Sequence, residues 1–295
     1  YGSWKGQPER VTWTSKATST MTAEERASYA AQVETARIAR DEELRQLQAA
    51  AAQRAFQIYE AAVPATNKNP YLQRKGVVAL PGVRELPDRL VIPVTIDGQL
   101  TSIQFIKNDG NFDYIEANKK FLRDGRKKGC YFLIEGDNAK IYITEGYATG
   151  ASIHQATSST VFVCFDTGNL YEVAAKCKNL YPQSQVIIAG DDDRFTTGNP
   201  GRAKAMQAAD GLGLQAIFPV FKNPECEDLT DFNDMVKEQD LDALRAMLVV
   251  KPVLYEAPVS NVVHSVTNPP GIMGDITNYY NTTSGNAQPV FAVQT

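Results

Sequence analysis

Four stretches with different hydrophobic periods follow one another along the chain. From residue 22 to about 63 the sequence is rich in Ala, Glu and Arg and holds no Gly or Pro. Thr22-Ala23-Glu24-Glu25 has the spacing of a capping box, in which a Thr hydroxyl and a Glu carboxylate satisfy exposed amides reciprocally. One long helix of about 60 Å follows, at about 1.5 Å per residue. Its apolar positions (Tyr29, Val33, Ala36, Leu44, Leu47, Phe56, Tyr59) are sparse and break a strict heptad, so a connecting strut is favoured over a coiled coil. Pro64 and Asn67-Lys68-Asn69-Pro70 stop the helix. A period of two then predicts strands at 90–96, 100–106 and 112–115, an antiparallel meander turning at Asp97-Gly98 and Asn108-Asp109-Gly110.

From Lys140 onward apolar strands (141–144, 161–165, 186–189, 214–219) alternate with helix-length segments (147–156, 170–180, 201–212), and a last helix is expected at 240–248. Short buried strands separated by helices predict an α/β unit, a parallel sheet with helices on both faces. The stretch 252–268 reads as a linker and 269–295 is too poor in apolar residues to fold alone, so it is expected to open a further module; residues 1–20 look like the end of a preceding one. The expected units are thus 1–63 (linker and helix), 64–139 (small mixed α/β subdomain), 140–250 (parallel α/β domain) and 251–295.

Composition narrows the chemistry. With 43% hydrophobic and 22% charged residues the 295-residue chain has enough apolar material for ordinary cores. No apolar run approaches the ~18 residues of a membrane span and the N-terminus has no apolar signal core, so no membrane partner is expected. Cys130, Cys164, Cys177 and Cys226 stand alone, and only His154 and His264 could join them, which disfavours zinc and suits a reducing cytoplasm. The net charge of −4 argues against holding nucleic acid through the overall field. There is no phosphate-binding Gly-x-x-x-x-Gly-Lys-Ser/Thr loop, Gly211-Leu212-Gly213 is too short for a dinucleotide fingerprint, and Ser152 and His154 lack a third triad partner.

In open α/β sheets ligands collect where strands end at their C-terminal edge. Glu145 follows one expected strand, and Asp191-Asp192-Asp193 follows another. One such acid reads equally as a cap or a solvated turn. Three in a row repel unless a cation offsets them, with about 1 kcal/mol between neighbours in water and several times that in a shielded cleft. Oxygen-only ligation favours Mg²⁺ or Mn²⁺, and Mg²⁺ is usually shared with substrate phosphates. Asp191 and Asp193 alternate to one side and Asp192 to the other. Lys119 to Lys128 carries six basic groups and one acid, Lys119, Lys120, Arg123, Arg126, Lys127 and Lys128 against Asp124; a solvated face is the plain alternative to a phosphate-binding wall. Phe121 and Tyr131 read as core.

Glu145-Gly146, then Asp191-x-Asp193 and Arg194, resemble the TOPRIM domain of bacterial-type primases, topoisomerases and certain nucleases. Residues 143–150, Phe165-Asp166-Thr167-Gly168-Asn169-Leu170, Gly190 to Arg194, and Asp231-Phe232-Asn233-Asp234 are similar to phage- and plasmid-type primases and primase-helicases. The insertion at 195–200 departs from simpler relatives. The resemblance implies a Rossmann-like TOPRIM fold behind a basic subdomain, and synthesis of RNA primers on single-stranded DNA from NTPs. Glu145 would serve as general base or metal ligand, Asp191 and Asp193 as ligands of Mg²⁺ or Mn²⁺, and Asp231 as an accessory ligand or a helix cap. Arg74, Lys75 and the Lys119–Lys128 bases would hold template or triphosphate; Arg194, Arg202 and Lys204 would neutralise phosphate or pair with the acids. A helicase module in the same parent chain is implied by analogy. A TOPRIM nuclease and an inactive DNA-binding or helicase-linked module are the competing readings.

Overall fold

The computed structural model describes residues 20–108 and 118–249. The expected strand at 112–115, the segment before residue 20 and the unit expected at 251–295 lie outside them. Helix α1 (Ala23–Ala61) opens on the capping box: the Thr22 N–H donates to Glu25 Oε2 at 2.7 Å and the Glu25 N–H to Thr22 Oγ1 at 3.2 Å. Exposed ion pairs of Arg37 with Glu34 and Asp41, and of Arg45 with Glu42, lie along its middle. Such pairs add only a few tenths of a kcal/mol each to a helix. The far end is not a free strut, because Ala55 and Ala62 pack with Val91 and Ile103 of the sheet that follows.

That sheet is antiparallel, with the order β1 (Val63–Pro64), β2 (Arg84–Leu86), β3 (Arg89–Ile96), β4 (Gln99–Lys107) and β5 (Lys119–Phe121). Val63 and Pro64 pair with β2, which is why the helix stops short of them. The β3–β4 hairpin turns through Asp97 and Gly98, both at positive φ, as a two-residue turn matched to strand twist requires. Between β1 and β2 lies α2 (Pro70–Lys75), a short helix the periodicity did not reveal; the Asn69 side chain caps it and Gly76 ends it.

The second sheet holds β6 (Phe132–Ile134), β7 (Asp137–Thr144), β8 (Ser159–Val163), β9 (Gln185–Ala189) and β10 (Gln215–Ile217) in the order β10-β9-β7-β8-β6. All pairings are parallel except that of β6 with β8. The α/β domain therefore draws its edge strand from within 64–139 rather than starting at 140. Three residues are too few to show a period. The helices are α3 (Tyr147–Thr157), α4 (Leu170–Leu180), α5 (Pro200–Leu212), α6 (Phe232–Glu238) and α7 (Leu241–Val249). Tyr147, Ile153, Phe232 and Leu244 join one face of the sheet to Tyr71, Leu72, Leu90 and Ile92 of the preceding subdomain. Leu170, Val173, Cys177, Ala205 and Ala208 cover the other face. Helices thus lie on both sides of a mainly parallel sheet. Among the described residues no helix is long and apolar enough to cross a membrane, and all four cysteines are free thiols.

Helix α3 lies against the sheet through Gly150, where an added Cβ would meet Val163 Cγ2 at 2.7 Å and Thr144 Oγ1 at 3.0 Å. Gly150→Val is expected to lower stability by about 1–3 kcal/mol through overpacking, read as a lower urea midpoint with an unchanged m-value. A neutral result would mean that α3 does not sit this close to β8.

Candidate active site

Strand register brings the acids level. Thr144 at the end of β7 pairs with Ala189 of β9 on one side and Val163 of β8 on the other. Glu145 is one residue past that line, Asp191 two past it on the neighbouring strand, and Asp166 three past it on the third. Gly190 permits the approach: a Cβ there would strike Ala205 at 2.5 Å and Phe218 at 2.9 Å. Phe165, just before Asp166, is held at φ +74, a strained backbone for a bulky residue.

The charges at these tips act on one another. Burial, then the negative charges of Asp193 and Asp166, push the Glu145 carboxyl up to about 7, opposed by the Asp191 backbone amide and Lys119. Burial, then Glu145, Asp231 and Asp193, push Asp191 up to about 8, again with Lys119 opposing. Glu145 Oε1 and Asp191 Oδ1 are buried and find no hydrogen-bond partner among the described residues. Unsatisfied buried carboxylate oxygens cost stability unless a cation or proton meets them. These hard oxygens fit Mg²⁺ or Mn²⁺. Among the described residues no group of three or more Asp, Glu, His or Cys side chains is placed to hold a metal ion, so the unpartnered carboxylate oxygens on offer are the two of Glu145 and Asp191.

The aspartate triplet divides its work. Asp193 Oδ2 accepts the Gly201 N–H at 3.0 Å, at the start of α5. A Cβ on Gly201 would lie 2.8 Å from that oxygen and 2.9 Å from the Asp191 carbonyl. Asp192 turns away and pairs with Asn199 Nδ2 at 2.8 Å, Arg202 at 3.4 Å and Arg194 at 3.8 Å. The inserted 195–200 loop supplies that Asn199, which also caps α5. Asp231 caps α6, its Oδ1 accepting the Asp234 N–H at 2.8 Å, while its charge is still felt by Asp191.

The expected basic residues separate into those near the acids and those committed elsewhere. Lys119 and Lys120 stand on β5, and Lys119 is the cation that acts on both Glu145 and Asp191. Lys127 Nζ lies 4.6 Å from the Phe121 ring centroid, and Phe121 meets Phe165 edge-on at 5.7 Å. Lys128 pairs with Glu172 at 3.0 Å and Arg126 Nε donates to the Lys128 carbonyl. Arg123 points outward, 93% exposed, 3.8 Å from Asp124. Arg74 donates to the Asn108 carbonyl, and Lys75 lies 3.8 Å from Asp234. Lys204 meets Gln207, while Arg202 stacks on Phe218. Of the two roles expected of Arg194, the structure shows the pairing with an acid, Asp192 at 3.8 Å, and its guanidinium also donates to the carbonyls of Pro224, Leu229 and Cys226 and stacks on Phe221. It pins the 222–230 loop beneath the site.

Asp166, Asn169 and Asn233 stand inside the sequence motifs, but the sequence alone assigns them no roles. Asn233, fully buried, donates to the Lys75 carbonyl at 2.7 Å and Ser152 Oγ at 2.9 Å, tying α2 to α3 and α6. Asn169 reaches the backbone of 127–130. For Asn169 and Asn233 the signal is an amide inside each motif; their partners are distant in sequence and so not legible there.

Because Glu145 and Asp191 hold protons more tightly folded than unfolded, their contribution to stability is fully present below about pH 4, the ordinary carboxylate range, and is lost as pH rises through about 8. The metal-free protein in chelator should therefore melt at progressively lower temperature from about pH 5 to about pH 8.5. Asp191→Asn should flatten that slope and raise the melting temperature at the alkaline end; an unchanged slope would show that Asp191 titrates normally. Arg194→Ala should cost about 3 kcal/mol by stranding loop carbonyls and expose 222–230 to limited proteolysis.

Residues 140–240 match the family model described as Toprim domain. The chain is 37% identical over 209 residues to the DNA primase TraC of Escherichia coli, covering 67% of this chain and 19% of that protein. A second DNA primase TraC of Escherichia coli is 36% identical over 227 residues, 73% and 15% of the two chains. The chain thus spans less than a fifth of the length of these curated relatives. Among solved structures, the DnaG primase catalytic domain bound to ssDNA covers 70% of this chain and 79% of its own, at TM-score 0.46 and 13% identity. The chain carries a Toprim domain, set within a longer stretch homologous to DNA primase TraC.

Proposed function

We propose that this segment is the catalytic core of a DNA primase, a nucleotidyltransferase that joins NTPs into short RNA primers on a single-stranded DNA template. The observation that carries the reading is the pair of buried, unpartnered carboxylate oxygens on Glu145 and Asp191 at adjacent strand tips, on both of which the charge of Lys119 in the other sheet acts. Homology to a DNA primase supports the same chemistry.

Asp191 and Asp193 would hold Mg²⁺ or Mn²⁺, with Asp231 as an accessory ligand through its second oxygen, and Glu145 would serve as general base or as a further ligand. Bound there, the ions supply charge stabilisation on the attacking and leaving oxygens of an in-line displacement. The primer 3′-oxygen forms a bond to the α-phosphorus of the incoming nucleotide as the bond to pyrophosphate breaks, and the hydroxyl proton passes to Glu145. In the metal-free site burial and the Asp193 and Asp166 charges raise the Glu145 carboxyl, the direction that suits a general base. Lys119, Lys120, Arg126, Lys127 and Lys128, with Arg74 and Lys75, would neutralise triphosphate and template phosphates, and Arg202 and Lys204 would flank the acids. In our reading the segment works in a reducing cytoplasm, and its parent chain, of phage or plasmid type, also carries a helicase module.

Incubation with single-stranded DNA, labelled NTPs and Mn²⁺ tests this directly: short ribonucleotide products are expected, whereas cleaved template would mark a nuclease and binding alone an inactive module. Glu145→Gln should lower kcat by about 10²–10⁴-fold, the range for loss of a general base. Asp191→Asn and Asp193→Asn should abolish synthesis while leaving template affinity within a few-fold. In contrast, Lys119→Glu with Lys120→Glu should weaken template binding and flatten its salt dependence by about 0.7 for each template phosphate left unneutralised.

A further inference from the structure

We propose that Asn169 is a positioning residue that fastens the basic 126–130 turn to the acidic edge of the second sheet. Asn169 stands directly before α4 and is 4% exposed. An asparagine there ordinarily caps its own helix, yet this side chain makes no cap bond to α4. Its Oδ1 instead accepts the Gly129 N–H at 2.7 Å. Its Nδ2 faces three carbonyls, those of Lys127 at 3.2 Å, Cys130 at 2.8 Å and Cys164 at 3.0 Å. One uncharged amide thus offers an acceptor to one segment and donors to two, which neither aspartate, without a donor, nor alanine could do.

The turn it grips joins the two sheets. On one flank the Thr101 hydroxyl donates to the Arg126 carbonyl and Tyr131 exchanges backbone hydrogen bonds with Thr95, both partners in the first sheet. Gly129, at φ +72, and the bond from the Cys130 N–H to the Lys127 carbonyl close the turn. The Asn169 amide then carries the tie across to Cys164, just past β8 and two residues before Asp166. The ion pair of the turn with α4, Lys128 with Glu172, is between side chains 81% and 47% exposed and so adds little. Lys127, over Phe121 and through it against Phe165, is the charge whose place depends most on this grip. A displacement of about 1 Å in a positioning group costs about 10²-fold in rate, so the loss should show in catalysis even where the fold survives.

The role in synthesis rests on the primase reading, but the fastening itself is tested without it. In hydrogen exchange of the intact chain, Asn169→Ala, with Asn169→Ser as a milder companion, should speed exchange of the Gly129 amide at least about tenfold while β7 and β9 stay protected, a local opening. In a double-mutant cycle on single-stranded DNA binding, Lys127→Ala should weaken affinity several-fold in the parent and less than about twofold beside Asn169→Ala, because coupled residues are non-additive. In primer synthesis KM for the nucleotide should rise more than kcat falls. Unchanged Gly129 exchange, an equal effect of Lys127→Ala in both backgrounds, or a uniform loss of protection across the sheet would overturn the proposal. Failure of the parent chain to make primers would instead overturn the primase reading, with the exchange result still deciding the role of Asn169.

Discussion

Carboxylates drawn together at the ends of adjacent parallel strands, with oxygens left unpartnered, are the constraint around which the second sheet is arranged. Burial and mutual repulsion alone would drive Glu145 and Asp191 apart or neutralise them, as their raised pKa values record. They stay because the backbone holds them. The register puts their strand tips level, Gly190 lets β9 run close under Phe218, and Gly201 lets α5 press its first turn onto Asp191 and Asp193. A side chain at either glycine would open the cluster.

The positive half of the site is built by a different route. A chain of net charge −4 has no global attraction for nucleic acid, so the primase reading requires cations placed locally. The first sheet does this by placing β5 at its edge and continuing into the 126–130 turn, whose far side is tied to the second sheet. Two buried amides stitch the subdomains, Asn233 between α2 and α6 and Asn169 between the turn and β8. Neutral donors suit such a seam, since a charged tie would meet the acids it is meant to position or require desolvation of its own.

Much of this was legible in the sequence. The run of alternating strands and helices pointed to the parallel sheet because apolar burial on two faces leaves a strong pattern, and the acids stood out because three consecutive aspartates after a strand have few plain explanations. The capping box at Thr22 formed as its spacing required. What stayed hidden was decided by contacts remote in sequence. β6 is three residues long and acquires its partner only from β8; α2 is six residues long and depends on the Asn69 cap; Arg194 beside the acids reads as a phosphate ligand or an acid's partner, and its hold on the carbonyls of the 222–230 loop is visible only in the structure. The basic run looked uniform, yet its members divide between β5, a bridging turn and open solvent.

The division within the aspartate triplet shows how one short run serves both structure and chemistry. Past the end of β9 the irregular chain carries Asp192 to Asn199, Arg202 and Arg194. Those partners neutralise the middle charge and hold the loop, so they lower the repulsion that would otherwise fall on all three. Had the same cations reached Asp191, they would have supplied the charge that its unpartnered oxygen lacks, and the site would have been satisfied by protein alone. With these arginines committed to Asp192, the loop keeps its anchoring while Glu145 Oε1 and Asp191 Oδ1 have no hydrogen-bond partner among the described residues, and Lys119 is the cation whose charge acts on both.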